Sequence, residues 1–232
     1  MRQFSREFGH SYETYSFGYC NFAVREAEDS LGNLYARGFL PYSGTLDIRD
    51  TFYMARSARL TLASLTLTSE NRRIAKKHDG KFTKERIPVS EFDSRDESFL
   101  SFCLEYFKAR HGNAMPRERL EFILSLKLIS HIVVYKKDDT VIGYVFEVSD
   151  TQMTHFWYSF YDLSYLKQSL GLWLMLDSIR DSKEAGREHF YLGTAYGEKG
   201  LYKTNFEPLE FWDGETWNPD IKTLKELCRR DG

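Results

Sequence analysis

Apolar residues recur along the chain with two periods, and each change of period marks an element. Leu60, Leu62, Leu65 and Leu67 alternate with Thr61, Ser64 and Thr66, with one slip at Ala63. That pattern predicts a half-buried, bulged strand over 58–67. Thr68 then offers a helix N-cap with Glu70 in the first turn, and 71–78 reads as a short helix stopped at Gly80. Phe99, Phe102, Cys103, Tyr106, Phe107 and Arg110 share one face of a second helix, which ends at His111 before Gly112. Pro116 starts a third, with Leu120, Ile123, Leu124 and Leu128 on its buried face. Strands come next at 131–136 and 141–148, joined through Asp138 and Asp139, and at 153–161, a ring-rich stretch. Ser169 caps a long helix to Ala185, with Gly186 as its stop. The apolar run 189–192 reads as a strand buried inside a sheet. Residues 202–206 read as helical, 209–212 as a last strand, and a terminal amphipathic helix runs from Pro219 to Cys228. Residues 1–50 carry no clear period. Gly32, Gly38 and Gly44 punctuate an aromatic stretch with one helical turn at 33–37. The expectation is a turn-rich segment, 1–57, packed on one domain, 58–232.

Composition narrows the class. With 232 residues, 42% of them hydrophobic, the chain can bury a large single core. No run approaches the 18 apolar residues of a membrane span, and the first residues lack the apolar stretch of a signal peptide. A cytosolic protein with no membrane partner is therefore expected. The net charge of −2 gives no global polyanion signature, so any nucleic-acid contact must be local. The one such cluster lies between Arg72 and Arg86, where Lys and Arg outnumber acids. Cys20, Cys103 and Cys228 are far apart and support neither a disulfide framework nor a zinc site.

Residue types that bind and position crowd one stretch. Tyr191, Gly193, Thr194, Tyr196, Tyr202, Lys203, Phe206 and Glu210 fall where a buried strand should open into a helix. This stretch is expected to form the floor of an acyl-transfer site. No credible Ser-His-Asp triad accompanies it. Three antiparallel strands followed by a helix and a central strand resemble the GNAT acyltransferase fold. The implied class is α+β: a mixed, mostly antiparallel sheet flanked by helices, with a small N-terminal extension. Coenzyme A members of that superfamily carry a Gln/Arg-x-x-Gly-x-Gly/Ala loop before the long helix, where backbone N–H groups hold pyrophosphate. Here Gln168 and Gly171 match, but Trp173 replaces the last small residue. An indole there is expected to crowd a pyrophosphate, which argues against an acyl-CoA donor.

A second resemblance is carried by several anchors kept in order. They are Asn71-Arg72-Arg73, Arg110-His111 with Met115, Tyr158 to Asp162, Ser169 to Gly171, Tyr191 to Gly193, Tyr202-Lys203, Phe206, Pro208, Glu210 and Trp217. Together, over roughly 55–217, they resemble the arginyl-tRNA–protein transferases, including the bacterial leucyl-transferring branch. That resemblance implies transfer of an amino acid from the tRNA 3′ ester to an amine, most naturally a protein or peptide N-terminus. Its only co-substrate is aminoacyl-tRNA, and no covalent enzyme intermediate is needed because an ester is already activated. The resemblance also implies roles for single residues. Backbone amides around Gly193 and Thr194 face the acyl carbonyl, and Tyr196 or Tyr202 donates to the leaving oxygen. Lys203 contacts the terminal phosphate or the oxyanion, and Glu210 or Asp162 holds an amine. Tyr161, Ser169, Tyr191 and Phe206 line the substrate site. Arg72, Arg73, Lys76 and Lys77 meet tRNA phosphates, with Arg110 extending that surface. Plain alternatives stand beside these: a Lys203–Glu210 ion pair, and simple burial for Tyr191. The family's N-terminal cysteine cluster, associated with an iron–sulfur or metal centre, survives only as Cys20, so no cluster is expected. The other implied classes are an acyl-CoA-dependent enzyme and a non-catalytic tRNA- or peptide-binding module.

Overall fold

The computed structural model describes residues 1–46, 48–112 and 115–231. A long hairpin opens the chain, β1 (Arg2–Ser11) with β2 (Ser16–Val24), followed by the short helix α1 (Leu31–Ala36). With β3 (Phe39–Pro41) and β4 (Thr51–Met54) the hairpin makes a four-stranded sheet in the order β1-β2-β4-β3. The stretch expected to be turn-rich thus contains four strands and a short helix. Its outer strand, β1, is exposed on both sides, so it shows no alternation of polar and apolar positions.

β5 (Ser57–Thr61) is shorter than its pattern predicted. The chain leaves it for a 3-10 turn at Leu62–Ser64. Leu62 is buried while Ala63 and Ser64 are exposed, so the alternation beyond Thr61 belongs to that turn and to the residues between it and the next helix. α2 (Ser69–His78) starts at a reciprocal capping box between Thr68 and Asn71, a device that stabilises a helix by about 1 kcal/mol. β6 (Thr83–Pro88) is a strand hidden in the basic run. Its Arg86 Nε lies 2.9 Å from the buried carboxylate of Glu147. Helices α3 (Glu97–His111) and α4 (Arg117–Ser125) come next, then the antiparallel strands β7 (His131–Lys137), β8 (Thr140–Ser149) and β9 (Met153–Tyr161). A 3-10 stretch, Leu163–Gln168, leads into α5 (Leu170–Glu184) and β10 (His189–Thr194). A second 3-10 stretch, Glu198–Asn205, precedes β11 (Leu209–Trp212), β12 (Trp217–Asn218) and α6 (Ile221–Arg230).

The second sheet has eight strands in the order β12-β11-β5-β10-β9-β8-β7-β6, and only β9 and β10 pair in parallel. Alternation along β8 assigns its faces. Tyr144 and Phe146 meet Phe99 of α3, with ring centroids 4.9 and 5.9 Å away. Glu147, on the other face, accepts from Ser178 Oγ of α5 at 2.9 Å. The main core is this sheet between α3 and α5. A second cluster joins the small sheet to it through Tyr35, Phe52, Val148, Met153 and Tyr191. No helix among the described residues is long and apolar enough to cross a membrane.

Candidate active site

The sheet opens at one point. β9 and β10 pair from His189–Met153 to Tyr191–His155 and then part, while β10 stays bonded to β5 as far as Thr194. In a parallel pair, each strand beyond the last shared rung leaves backbone and side chains facing free space. Here that space is a cavity of about 420 Å³. His155, Gly193 and Thr194 form its base, and Trp157, Tyr158 and Arg119 form one wall. The small sheet and the loop after β3 complete it with Tyr53 and residues 40–44. Ser43 Oγ and Tyr158 Oη, 3.2 Å apart, tie that loop to β9.

Two buried nitrogen groups meet at Gly193. His155 is 2% exposed, and its Nδ1 lies 2.9 Å from Tyr35 Oη of α1. Burial, aided by the charge of Lys203, pushes the imidazole down to about 3. Lys203, 6% exposed, donates from Nζ to the Thr194 carbonyl, and burial lowers its ammonium to about 7. No carboxylate accepts a hydrogen bond from Lys203 among the described residues. Gly193 has φ +80°, and a Cβ there would lie 3.4 Å from His155 Nε2 and 3.7 Å from Lys203 Nζ. The glycine therefore leaves the imidazole and the amine open to one another across the strand end.

The other residues expected in the site are dispersed. Tyr196 lies on the surface. Its hydroxyl accepts from the Arg56 amide at 2.9 Å, and the Arg56 guanidinium sits 4.5 Å above its ring. Tyr161 supports the start of α5, where a Cβ on Gly171 would come within 2.8 Å of its ring, and it packs 4.8 Å from Tyr106. Tyr202 is 40% exposed as a residue, yet desolvation and nearby Tyr161 push its hydroxyl up to about 12. Asp162 accepts from the Ser164 amide at 2.8 Å and so closes a turn. Ser169 adopts a left-handed conformation and makes no side-chain cap, contrary to the expected N-cap role. Tyr191 is 1% exposed between Tyr35 and Trp217, and Phe206, also 1%, is core; both rings are used up in packing. Glu210 does make an ion pair, but with Arg59 Nε at 2.8 Å rather than with Lys203.

Trp173 corrects a second expectation. Its indole packs against Tyr135 and Phe82 at 5.7 and 5.2 Å, and its N–H is donated to Asp79 at 2.8 Å. It is a core side chain of the α5 face, so it gives no reason to exclude a pyrophosphate from the loop before α5. The basic residues do not form one surface either. Arg72, Arg73 and Lys76 are exposed on α2, which packs on α5, while Arg110 is on α3 beyond the sheet. Arg73 is paired with Glu70 at 2.7 Å, and Arg72 donates to the Leu67 carbonyl. Cys20 is half-buried, and no three His, Cys, Asp or Glu side chains gather as a metal site among the described residues. The residues present do not fit an N-terminal cluster.

Sequence reasoning missed His155, Arg119, Tyr53 and Trp157. The one signal available for His155 was a polar residue inside an otherwise apolar, ring-rich strand.

An eight-stranded mixed sheet that opens between two parallel strands over a cavity is the architecture of a GNAT acyltransferase. The chain belongs to that family: the acetyltransferase (GNAT) domain matches residues 69–204. It is similar to an aspartate/glutamate leucyltransferase of Dinoroseobacter shibae, 28% identical over 182 residues that cover 70% of this chain and 62% of that one. A protein of the same name from Methylorubrum extorquens is 26% identical over 214 residues, covering 83% and 84% of the two chains. One from Hyphomonas neptunium is 44% identical over 66 residues, 27% of this chain and 25% of that one. The chain thus spans less than two-thirds of the length of some curated relatives it matches. Among solved structures, the crystal structure of FemX shares the fold, with a TM-score of 0.52 and 11% identity over 88% of this chain and 71% of that one.

Proposed function

We propose that the protein is an aminoacyltransferase that moves leucine from the 3′ ester of leucyl-tRNA to the α-amine of a protein or peptide beginning with Asp or Glu. The observation that carries this reading is the pair of His155 and Lys203 at Gly193, where β9 and β10 part, in a chain similar to aspartate/glutamate leucyltransferases. Residues 58–232 would be the transferase domain, and 1–57 would supply one wall of the acceptor cavity.

Aminolysis of an ester needs a neutral amine about 3 Å from the carbonyl carbon, a stabilised oxyanion and a proton for the departing ribose oxygen. Lys203 is suited to the proton work. A group lowered to about 7 exchanges readily at neutral pH, so it can take the proton of the acceptor ammonium and return one to the leaving oxygen. His155, lowered to about 3, stays neutral and presents Nε2 to hold and orient the acceptor amine. Backbone amides at Gly193 and Thr194 are the groups we assign to the developing oxyanion. Tyr202 remains protonated and suits a hydrogen bond to the terminal ribose. Asp162, Glu210, Tyr191, Phe206 and Ser169 serve the scaffold in this scheme, as do Tyr161 under α5 and Tyr196 on Arg56. For the tRNA body, Lys76 and Lys77 on α2 are the first phosphate contacts, with Arg72 and Arg73 beside them; Arg110 would meet a separate stretch of backbone.

The test is transfer itself. Incubating the protein with a pool of charged tRNAs and peptides bearing N-terminal Asp, Glu, Lys or Arg, followed by mass spectrometry, should add leucine to the acidic peptides. No added residue on any of them would reject the reading. Because Trp173 is packed in the core and gives no reason to exclude a pyrophosphate, an acyl-CoA donor is the second reading. Thermal stabilisation by coenzyme A, without any transfer from tRNA, would select it.

A further inference from the structure

One face of the small sheet carries a row of side chains that ends in the cavity. Phe4 of β1 stands opposite Phe22 of β2, Phe22 opposite Tyr53 of β4, and Tyr53 opposite Leu40 of β3. Partners in register point to the same face of a sheet, so these four form one line across all four strands. Ala23 and Phe52, fully buried on the other face, belong to the core shared with the large sheet. Exposure falls along the line: Phe4 is 45% exposed, Phe22 and Tyr53 are half-buried, and Leu40 is buried. Tyr53 and Leu40 are also walls of the cavity. The rings touch in sequence. Phe4 and Phe22 stack at 5.3 Å, Phe22 meets Tyr42 at 5.4 Å, and Tyr42 meets Tyr53 at 6.0 Å. Alternation along β1 puts Arg2 and Arg6, both exposed, on the same face as Phe4. It turns Glu7 to the opposite face, where its carboxylate lies 3.0 Å from His10 Nδ1.

A row across a sheet face offers different groups from a strand edge. Its backbone N–H and C=O groups are already used between strands, so it presents ring faces and guanidinium groups but no ladder for a peptide. Ring faces beside cations suit single-stranded nucleic acid, with bases on the rings and phosphates on the charges. Four strands about 4.8 Å apart give a line about 14 Å long, room for a few bases. We propose that this row carries the single-stranded 3′ end of the aminoacyl-tRNA into the cavity, with Phe4 and Phe22 stacking on its bases and Arg2 and Arg6 meeting its phosphates. The proposal rests on the aminoacyltransferase reading and gives the donor its path. The ester enters beside Tyr53, while the acceptor amine keeps its place at His155 on β9.

The test measures binding of uncharged tRNA, either intact or trimmed of its single-stranded 3′ end, by fluorescence anisotropy. The proteins compared are wild type, Phe4→Ala, Phe4→Trp and the double variant Arg2→Gln with Arg6→Gln. Wild type should bind intact tRNA roughly 100-fold more tightly than trimmed, the combined effect of two stacked bases. Phe4→Ala should lower that ratio roughly 10-fold, through loss on the intact tRNA alone, and Phe4→Trp should keep it. The double arginine variant should flatten the dependence of log K on log salt by about 1.4, or 0.7 for each single-strand phosphate, with intact tRNA only. Because each ratio is internal to one variant, a general loss of folded protein cancels. Equal affinity of wild type for the two tRNAs overturns the path. So does a Phe4→Ala variant that keeps the ratio and raises KM for the acceptor peptide, which would give the row to the peptide. An unchanged ratio in Phe4→Ala, with leucyl transfer intact, overturns the path and leaves the transferase reading standing. A ratio that falls in Phe4→Ala, with no transfer by wild type to any peptide, supports the tRNA path and rejects the transferase reading.

Discussion

Arg59 and Lys203 are both largely buried cations beside β10, and they keep opposite company. Arg59 lies one strand over, 2.8 Å from Glu210 and 4.1 Å above the Trp217 ring, so its charge is neutralised and its flat face covered. Lys203 donates to the Thr194 carbonyl and faces the Tyr202 ring at 5.6 Å, with no carboxylate bonded to it among the described residues, and its ammonium has moved down to about 7. A paired, stacked guanidinium contributes to the fold. An unpaired buried amine costs stability, because desolvation opposes the charged form. Such a group beside a cavity is a candidate for chemistry. The difference between these two residues separates scaffold from site more sharply than their positions along the chain.

The largest effect should come from removing the unpaired amine. Lys203→Met is expected to lower kcat/KM for leucyl transfer by up to about 10⁴-fold, the upper range for a lost acid–base group. Wild type should show an acid limb near pH 7 that the variant lacks. Since the folded pKa lies below the unfolded value of 10.5, the native state binds fewer protons from pH 10.5 down to 7 and loses stability there. At pH 7 the Met variant should therefore melt no lower than wild type. A variant of unchanged activity would remove Lys203 from the chemistry. Next comes His155, whose folded pKa of about 3 lies below its unfolded value of 6.5. Its contribution to stability is present above pH 6.5 and falls away as pH drops toward 3. At about 1.4 kcal/mol per unit, that is up to about 5 kcal/mol. Urea midpoints measured against pH should show this fall in wild type and a shallower one in His155→Asn.

The paired cation should behave in the other way. Glu210→Gln is expected to cost about 2 kcal/mol through the weakened bond to Arg59, while transfer at a temperature where both proteins are folded stays the same. A selective loss of kcat would return Glu210 to the site. The smallest effect belongs to the lysines of α2, Lys76 exposed and Lys77 half-buried. Reversing Lys76 and Lys77 to Glu should weaken tRNA binding and flatten the dependence of log K on log salt by about 2, one for each lost phosphate contact. Unchanged affinity would move the tRNA path off α2.

Period alone made much of the second half legible, because strands such as β8 and helices such as α3 bury one regular face. It failed where burial was irregular or absent. β1 is exposed, and β6 is an edge strand whose apolar positions are few. The stretch after Thr61 alternated for reasons other than a sheet. In the site, Gly193, Thr194 and Lys203 were visible as residue types and through family resemblance. His155 was not, because its environment is set by Tyr35, a partner 120 residues away in sequence. Arg119 was equally hidden, as one of several charges in the first turn of a helix. Glu210 was visible as half of an ion pair, but a strand pairing chosen by β5 supplied the other half.

The bond from Tyr35 to His155 gives the small sheet a part in the solvent chemistry of the large one. Tyr35 is fully buried, and with Tyr191 it seals one side of the imidazole from water. If that seal loosened, the ring would hydrate and its proton affinity would climb back toward that of free histidine, so it would begin to charge at mildly acidic pH instead of staying neutral down to about 3. The fit of the N-terminal segment against β9 thus widens the pH range over which this imidazole carries no charge.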